Sequence, residues 1–434
     1  MRINDRGPGR QSSPGAGRKD AATLIEREVV GSPDPAHGPD GMNLLIKGDN
    51  LAALTALRPE FEKKIPLIYI DPPFNIKNPA GHYPDRLLPQ EWIEMMRPRL
   101  ERLRSLLKPD GVIFVHIDQR MVAELKLLMN QVFGADNFVS MITIKVKDAA
   151  GVGQQSLIFD VCEFILVYAA RLSDLRRRGF NPAREQTVAG GIRGYDKAIA
   201  DFGTARLVRT ISRPRVGEVR VFACDGYRVE RLARGKAQAE HRQNFEAIFA
   251  DYNPSGGMIR AIRDELPARG LCFIEYAPSK GKDAGRLARV YFLNRRILAW
   301  LKDIARLDEK GRLLKKAPLV NLWEFPNAGL HAEGGVEFRL SKKPEALLKK
   351  IIELGSNPGD WVLDCFLGSG TTAAAAHKLG RRWIGIESGD HLERVALPRL
   401  RRVVSGEDRT GISRELNWTG GGGFKRLHVT GAGD

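Results

Sequence analysis

Cysteine is scarce in this chain, with four residues among 434. They are Cys162, Cys224, Cys272 and Cys365, which lie far apart without paired spacing. Such spacing argues against a structural zinc site or a disulfide framework and suits the reducing cytoplasm. Long apolar runs are also missing, since no stretch approaches the roughly 20 apolar residues of a membrane-spanning helix. We therefore predict a cytoplasmic protein without a membrane segment and without metal-binding residues.

Acidic residues are outnumbered by basic ones, with 52 Asp and Glu against 69 Lys and Arg and a formal net charge of +17. This excess favours a polyanionic partner, because Lys and Arg release counterions from nucleic acid. The N-terminal sequence is rich in Gly, Pro, Ser and Arg and contains no apolar segment typical of a signal peptide. We predict that residues 1–41 form a flexible basic arm.

Short apolar runs alternate with helical patterns in two separate blocks, which is typical of an α/β sheet. The first block spans residues 42–169 and contains apolar runs at 67–70 and 112–117 that indicate strands buried on both faces. The second block spans residues 336–434. Between them, residues 170–335 are dense in Arg and Gly and lack this pattern. We predict one mostly parallel α/β sheet built from both blocks, with an inserted basic segment.

A glycine-rich turn follows a predicted strand in the second block. The sequence VLDCFLGSGTTAAAA at 362–376 places Asp364 at the strand end, then Gly368 and Gly370, and then a helix. Glycines let the backbone approach a ligand closely, and a helix N-terminus offers free N–H groups. Glu387 closes the next strand, where an acidic side chain can accept hydrogen bonds from both hydroxyls of a ribose. These features predict a site for an adenosine-containing cofactor.

The class of cofactor stays open on these residues alone. A dinucleotide-binding fingerprint would place a third glycine where Ala373 stands, and that position also accepts alanine. A nicotinamide-dependent dehydrogenase is therefore one alternative interpretation. A strand, turn and helix that bind no ligand at all is another.

An acid, two prolines and an aromatic residue directly follow the run at 67–70. The segment consists of Asp71, Pro72, Pro73 and Phe74. Two prolines remove N–H donors and fix the backbone, so that the loop carbonyls face outward. A planar amino group can then donate one N–H to the Asp71 carboxylate and the other to a carbonyl of the Pro72–Pro73 segment, of which we favour Pro73, while the Phe74 ring stacks on the base. Such contacts would position the amine to attack a sulfonium methyl group, once the base is flipped out of a duplex.

These motifs resemble those of the β class of amino-group DNA methyltransferases, in which the catalytic motif precedes the cofactor motif. DPPF at 71–74 resembles the catalytic motif of that family, and FLGSGTT at 366–372 resembles its cofactor motif. Within the class, the ordered set of blocks looks most like the modification subunits of type III restriction systems. Further similar blocks lie at 43–54, 91–118, 341–352 and 421–427.

The resemblance implies a Rossmann-like sheet of the AdoMet-dependent methyltransferase type, with circularly permuted motif order and an inserted target-recognition segment at 170–335. It implies that 42–169 is the catalytic half of this domain and 336–434 the half that binds S-adenosyl-L-methionine (AdoMet). The residues of the segment 71–74 would be catalytic. The implied cofactor-binding residues are Asp49, Asp364, Phe366, Gly368, Ser369, Gly370, Thr371, Thr372 and Glu387.

The function implied by the resemblance is site-specific transfer of a methyl group to the exocyclic N6 amine of adenine in double-stranded DNA, within a restriction-modification or epigenetic system. The chain has no P-loop and no recognisable nuclease motif, so restriction would need a separate subunit. Many relatives form dimers, and we expect a homodimer here. The alternatives are a cytosine-N4 methyltransferase, whose motif more often begins with Ser, a nicotinamide-dependent dehydrogenase, and a DNA-binding protein without activity.

Arginines of the middle segment are candidates for contacts with DNA phosphates. Aromatic residues of the same segment, Phe180, Tyr195 and Tyr227, are candidates for stacking on bases or wedging between them. The arginines are Arg171, Arg176, Arg177, Arg178, Arg206, Arg209, Arg213 and Arg215.

Overall fold

The structure of the chain, a computed structural model, divides into two compact units. The first comprises residues 1–181 and 320–434, and the second comprises residues 182–319. The predicted middle segment, 170–335, is wider than the second unit at both ends. The structure describes residues 22–38, 41–75, 87–147, 160–180, 184–187, 192, 194–213, 217–232, 245–254, 260–278, 286–309, 311–317, 319–325, 330–338 and 342–430.

Helices and strands are labelled in chain order. The first unit begins with β1 (Thr23–Gly31), β2 (Asn43–Lys47), α1 (Asn50–Phe61), β3 (Ile65–Ile70), α2 (Pro89–Leu106), β4 (Leu107–Ile117), α3 (Val122–Phe133), β5 (Phe138–Lys145), β6 (Cys162–Ala169) and α4 (Leu172–Arg177). The second unit contains β7 (Arg184–Thr187), β8 (Lys197–Asp201), β9 (Thr204–Arg213), β10 (Gly217–Asp225), β11 (Arg228–Arg231), β12 (Ile248–Tyr252), β13 (Leu271–Tyr276), β14 (Ala288–Leu293), β15 (Arg296–Trp300), α5 (Leu301–Ile304), β16 (Ala305–Leu307) and β17 (Leu313–Ala317). The first unit resumes with β18 (Leu322–Glu324), α6 (Glu345–Gly355), β19 (Trp361–Asp364), α7 (Thr371–Lys378), β20 (Arg382–Glu387), a π-helical turn (Leu392–Ala396), α8 (Leu397–Ser405) and β21 (Gly423–Thr430).

A ten-stranded sheet organises the first unit, with strand order β1-β21-β2-β20-β19-β3-β4-β6-β5-β18. The six strands from β21 to β4 run parallel, whereas β1 is antiparallel to β21 and β6 is antiparallel to β4 and β5. Pairing of β19 with β3 joins Leu363 to Ile68 and places the second sequence block beside the first. The prediction of one mostly parallel α/β sheet built from both blocks is confirmed.

Helices cover both faces of this sheet, as continuous apolar strands require. All six residues of β3 are buried. On one face, Leu54 of α1 and Leu100 of α2 pack in the same core as Ile68. Leu67 points to the other face, because side chains alternate along a strand, and it contacts the end of α6 at Gly355. The loops at the strand ends are thus carried by a rigid three-layered body.

Part of the predicted N-terminal arm is a strand. Residues 23–31 form β1, which pairs with β21 from Thr23 opposite Thr430 to Gly31 opposite Gly423. Most of its side chains are exposed, so the apolar alternation that marks a half-buried strand is weak, and main-chain hydrogen bonds hold β1 in place. The prediction of a flexible arm is wrong for these residues, while residues 1–21 and 39–40 lie outside the described residues.

The second unit, taken by itself, consists mainly of antiparallel strands. Strands β8 to β15 form a sheet with order β11-β8-β12-β15-β14-β13-β10-β9, and β16, β17 and β7 form a three-stranded sheet. Buried residues such as Val219, Ile274 and Phe292 form one of its cores. Edge strand β9, TARLVRTISR, is almost entirely exposed, which explains why the sequence shows no clear apolar pattern there.

In the described part of the whole chain, no helix combines the length and apolar character that crossing a membrane requires.

Candidate active site

Four acidic residues lie at the carboxyl ends of four neighbouring parallel strands. In sheet order these strands are β2, β20, β19 and β3, and the acids are Asp49, Glu387, Asp364 and Asp71. Open α/β sheets bind their ligands at this edge. The Asp71 loop and the glycine turn at 368–370 follow the adjacent strands β3 and β19, so the structure brings the two predicted motifs together.

The two carboxylate oxygens of Asp71 have different surroundings. Oδ1 is buried and has no hydrogen-bond partner, whereas Oδ2 lies 3.4 Å from Nζ of Lys343. Burial raises the pKa of Asp71, and the neighbouring Lys343 and His116 oppose that increase. Buried polar atoms nearly always have a partner, so an unpaired carboxylate oxygen needs an explanation. Its position at the strand ends makes it an acceptor available to a ligand.

Side chains from outside the loop hold its backbone. Nε1 of Trp92, a buried residue of α2, donates a hydrogen bond of 2.8 Å to the carbonyl of Pro73. Asn75 adopts a φ of 60°, and its side chain pairs with the Leu87 backbone, donating to O over 2.7 Å and accepting from N over 2.9 Å. The loop is therefore fixed on both sides of Phe74 before any ligand arrives.

The hydrogen bond from Trp92 bears on one prediction about this loop. We expected the Pro73 carbonyl to receive an N–H of the target amine. A carbonyl oxygen has two lone pairs, and one of them already accepts from Trp92. Among the two prolines, the carbonyl of Pro72 is the better candidate for that contact.

A largely buried network of polar side chains surrounds Asp71, although the sequence analysis did not single out its members. Nζ of Lys343 lies 3.0 Å from Oε2 of Glu163, and the same oxygen lies 2.8 Å from Nε2 of His116. The other ring nitrogen of His116 lies 3.0 Å from the Tyr69 hydroxyl. The sequence does contain a signal for this network. Glu163 and His116 each interrupt an apolar strand, and a buried polar residue requires a partner.

The opposite charges in this network favour the ionised forms of Lys343 and Glu163. Burial favours the neutral form of Lys343, but Asp71 and Glu163 outweigh burial and raise the pKa of Lys343. Burial likewise opposes ionisation of Glu163, but Lys343 and His116 outweigh it and hold the Glu163 pKa well below its usual range. Burial and the nearby acids raise the pKa of Tyr69. Lys343 and Glu163 are thus both charged at neutral pH.

Phe74 lies beside the same lysine. Nζ of Lys343 is 4.6 Å from the centroid of the Phe74 ring, within the range of a cation–π contact. The His116 ring is 5.9 Å away with a tilted geometry. These contacts hold the Phe74 ring next to the carboxylate that precedes it in the loop.

The glycine turn is held by the acids that flank it. The N–H of Phe366 donates to Oδ1 of Asp364 over 2.9 Å, and the Thr372 hydroxyl donates to Oδ2 over 2.6 Å. The N–H of Gly368 donates to Oε2 of Glu387 over 2.9 Å. Burial raises the pKa of Asp364 to about 7. The acids expected to bind the cofactor therefore also shape the loop that would receive it.

Gly368 and Gly370 both adopt positive φ, of 55° and 81°, which only glycine adopts without strain. Gly370 is the residue before α7, so the N–H groups of Thr371 and Thr372 begin that helix. Ser369 and Thr371 bring their hydroxyl oxygens within 3.1 Å of each other. The turn thus combines a bare backbone with a helix N-terminus, as the sequence predicts.

Asp49 has a structural role that the sequence did not reveal. Its Oδ1 caps α1 by accepting from the N–H of Ala52 over 2.9 Å, and Oδ2 lies 3.1 Å from Arg99. More than half of the Asp49 side chain is nevertheless exposed. A carboxylate has about four lone-pair sites, so these contacts leave Asp49 able to accept from a ligand.

A fully buried ionic cluster lies behind the glycine turn. Arg399 of α8 donates to the Thr371 hydroxyl over 2.7 Å and to Oε1 of Glu345 over 2.8 Å. Lys378 of α7 donates to both oxygens of Glu345 and, over 2.7 Å, to Asp408. This cluster ties α6, α7 and α8 to the turn from within the protein.

The arginines predicted to contact DNA are divided between the two units, and those of the first unit lie away from this edge. Helix α4, which carries Arg176 and Arg177, follows β6. The last residue of β6, Ala169, pairs with Val112 of β4, which in turn pairs with Leu67 of β3, so α4 lies toward the other end of the sheet from Asp71. In the second unit, Arg206 pairs with Asp225 over 3.2 Å and Arg209 pairs with Glu265 over 2.9 Å. Tyr195, proposed as a stacking residue, is buried in a core. Arg215 and the side chain of Arg213 lie outside the described residues.

Comparison with known proteins places the chain in a family. A family model described as DNA methylase matches residues 65–182 and 217–397. The chain is 35% identical over 429 residues to the probable type III restriction-modification enzyme HindVI Mod subunit of Haemophilus influenzae, covering 94% of this chain and 55% of that protein. It is 26% identical over 367 residues to type II methyltransferase M.EcaI of Enterobacter cloacae, covering 82% and 69%. It is 48% identical over 80 residues to DNA adenine methyltransferase YhdJ of Escherichia coli, covering 18% and 27%.

The family model matches both halves of the ten-stranded sheet. Its two segments include both the Asp71 loop and the glycine turn, and together they span more than half of the chain. The chain spans about half the length of the type III Mod subunits that it matches over most of its own length. On the match of the family model, the chain belongs to the DNA methylase family.

Proposed function

We propose that this protein transfers a methyl group from AdoMet to the exocyclic N6 amine of adenine in double-stranded DNA. The observation that carries the proposal is the buried Oδ1 of Asp71, which has no hydrogen-bond partner and lies in a backbone-fixed loop next to the glycine turn. An amine that donates to this oxygen would satisfy it. A dehydrogenase or an inactive DNA-binding protein would leave it unexplained.

The residues of the loop would orient the amine. Asp71 accepts one N–H, the Pro72 carbonyl accepts the other, and Phe74 packs against the base. With both hydrogens held, the nitrogen lone pair points away from the loop, toward the neighbouring glycine turn. Asp71 can take the proton that the nitrogen releases once it carries the methyl group. The catalytic contribution is positioning and electrostatic stabilisation.

The residues at the glycine turn fit AdoMet. The bound cofactor supplies an electrophilic methyl group on a positively charged sulfonium. Asp71 and Asp364, at the ends of adjacent strands, favour a cation there, and the two glycines keep the backbone bare. Asp49 and Glu387 flank the turn as acceptors for the adenine amine and the ribose hydroxyls. Phe338 lies 3.8 Å from the position that a Cβ on Gly368 would occupy and so forms an apolar wall.

Adenine is favoured over cytosine by two observations. The motif begins with Asp71, whereas the cytosine-N4 enzymes of the class more often begin it with Ser. One relative of high local identity is named DNA adenine methyltransferase. Transfer to cytosine N4 would use the same geometry, so the modified nucleoside has to be identified directly.

A restriction system is the proposed setting. The chain covers 55% of a protein named as a type III Mod subunit, which is by its name one component of a larger enzyme. We therefore propose double-stranded DNA as substrate and a restriction subunit as partner. The homodimer expected from the sequence stays a prediction.

The test uses the full chain with tritiated AdoMet and unmethylated genomic DNA, which offers a large range of target sequences. After digestion to nucleosides, label should appear in N6-methyl-2′-deoxyadenosine, and an Asp71→Ala variant should lose about 10²–10³-fold of the rate. Asp136→Ala is the matched control, since Asp136 is exposed in the turn before β5, at the opposite end of the sheet.

Each result has a separate meaning. Label in N4-methyl-2′-deoxycytidine would keep the mechanism and change the base. Label that survives in Asp71→Ala would refute the role of this carboxylate. Bound AdoMet without any transfer would refute the proposed activity of the chain on DNA.

A further inference from the structure

We propose that Lys343 and Glu163 are positioning residues for methyl transfer. Glu163 holds the Lys343 ammonium against one oxygen of Asp71, so that Asp71 stays ionised and presents its other oxygen to the target amine. The inference rests on the proposed function, because it concerns the state in which Asp71 meets its substrate. Neither residue belongs to the two motifs that identify the family.

Lys343 contacts only one of the two carboxylate oxygens of Asp71. Its Nζ lies 3.4 Å from Oδ2 and leaves Oδ1 without a partner. The same ammonium lies 4.6 Å from the centroid of the Phe74 ring. A single cation thus fixes the rotation of the carboxylate and contacts the aromatic residue of the same loop.

Glu163 keeps this cation in place from a distant part of the sequence. Its Oε2 lies 3.0 Å from Nζ of Lys343 and 2.8 Å from Nε2 of His116, and His116 in turn contacts the Tyr69 hydroxyl. His116 and Tyr69 are fully buried in β4 and β3. A lysine has several rotatable bonds, so an anchor of this kind removes freedom that would otherwise disperse the ammonium.

The electrostatic surroundings explain why the cation is needed. Without Lys343, burial would favour the neutral form of Asp71, and a protonated carboxyl is a poorer acceptor for an amine. The negative charges of Glu163 and Asp364 also disfavour ionisation of Asp71. The charged or titratable groups that face Asp71 are Lys343 before α6, His116 on β4, Glu163 on β6, Tyr69 on β3 and Asp364 on β19.

The experiment measures the pH dependence of kcat/KM for the full chain, together with AdoMet affinity by calorimetry. In Lys343→Met, the acidic limb should move to higher pH by about 1–3 units, because the opposite charge beside Asp71 is lost. AdoMet affinity should stay within about twofold of the wild type, since a positioning role acts on the amine acceptor. In Lys343→Arg, the acidic limb should lie close to its wild-type pH, because the positive charge is kept.

A second pair of variants keeps the test decisive if Lys343→Met folds poorly. Glu163→Gln alone should lower kcat without raising the acidic limb, because it loosens Lys343 while removing a negative charge near Asp71. In the Lys343→Met background, Glu163→Gln should move the limb part of the way back. Lys349→Met is the matched control, because Lys349 lies on α6 and pairs with Glu353 and Glu415 at the surface.

An acidic limb that stays in place in both Lys343→Met and the double variant would overturn the inference. So would a loss of AdoMet affinity that accounts for the whole loss of rate, because Lys343 would then be a cofactor ligand. Neither result touches the proposed function, which stands or falls with the Asp71→Ala variant and the identity of the labelled nucleoside.

Discussion

The two loops at the carboxyl edge of the sheet differ in how far the carboxylate oxygens of their acids are hydrogen-bonded. In the first loop, Asp71 keeps a buried oxygen without a hydrogen bond. In the second, Asp364 and Glu387 engage both of their oxygens with groups of the protein, among them the N–H groups of Phe366 and Gly368. The first loop therefore has a carboxylate oxygen that can accept a hydrogen bond from a ligand. In the second loop, the carboxylates accept hydrogen bonds that fix the backbone of the loop.

From this difference we infer that removing an acid has a different effect on folding in each of the two loops. A buried acceptor without a partner costs stability, and a protein retains it where function requires it. A buried carboxylate that accepts from two protein groups satisfies donors that would be left unpaired if it were removed. The same substitution should therefore act differently in the two loops.

The largest effect is expected at the support of the second loop. Arg399→Met would remove the guanidinium that joins Thr371 to Glu345, and the buried carboxylate of Glu345 would lose one of its cations. We expect the free energy of unfolding to fall by about 3–5 kcal/mol, measured by urea denaturation. Arg401→Met is the control on the same helix. Its side chain is half exposed and pairs with Glu28, so the change should stay within about 1 kcal/mol. Equal losses in the two variants would argue against a special role of the buried cluster.

A direct comparison of the two acids is expected to give an intermediate effect. Asp364→Ala removes the acceptor of Phe366 N–H and of the Thr372 hydroxyl and should destabilise the protein by about 1–3 kcal/mol. Asp71→Ala should leave the free energy of unfolding unchanged within about 0.5 kcal/mol or increase it, because it removes an unsatisfied buried oxygen. Thermal denaturation of both variants gives the comparison, and a larger loss in Asp71→Ala would reverse our interpretation of the loops.

The smallest effect concerns the helix that follows the glycine turn. His377, at the end of α7, accepts from Trp383 Nε1 at Nδ1, and its Nε2 lies 2.8 Å from the Gly421 carbonyl. Burial lowers the pKa of His377 below its usual value of about 6.5. The unfolded chain therefore binds a proton at a higher pH than the folded chain, and stability should decline as pH falls below about 6.5. Urea titrations at pH 7.5 and 5.5 should show a smaller decline in His377→Gln than in the wild type.

The sequence predicted the elements that carry the two loops because their signals are local. The apolar run before Asp71 and the strand–turn–helix around Gly368 each lie within a few consecutive residues. The meeting of these loops followed from a general property of parallel sheets.

The contacts around Asp71 could not be predicted in the same way. Lys343 and Glu163 lie on segments that are distant in sequence, and nothing local to either residue names the other. The position of α4 depends on the antiparallel direction of β6, which the apolar pattern of that strand does not encode. β1 was missed because main-chain pairing with β21, rather than an apolar face, holds it.

The pairing of β19 with β3 also determines when the site can form during synthesis. The ribosome releases Leu67 long before Val362, its partner in the sheet. Until β19 emerges, β3 has one open edge, and pairings between distant segments form late and slowly. Lys343 also emerges late, so a nascent chain carries Asp71 without its counter-charge and without the glycine turn. The site can therefore be assembled only after Lys343, β19 and the glycine turn have all emerged from the ribosome.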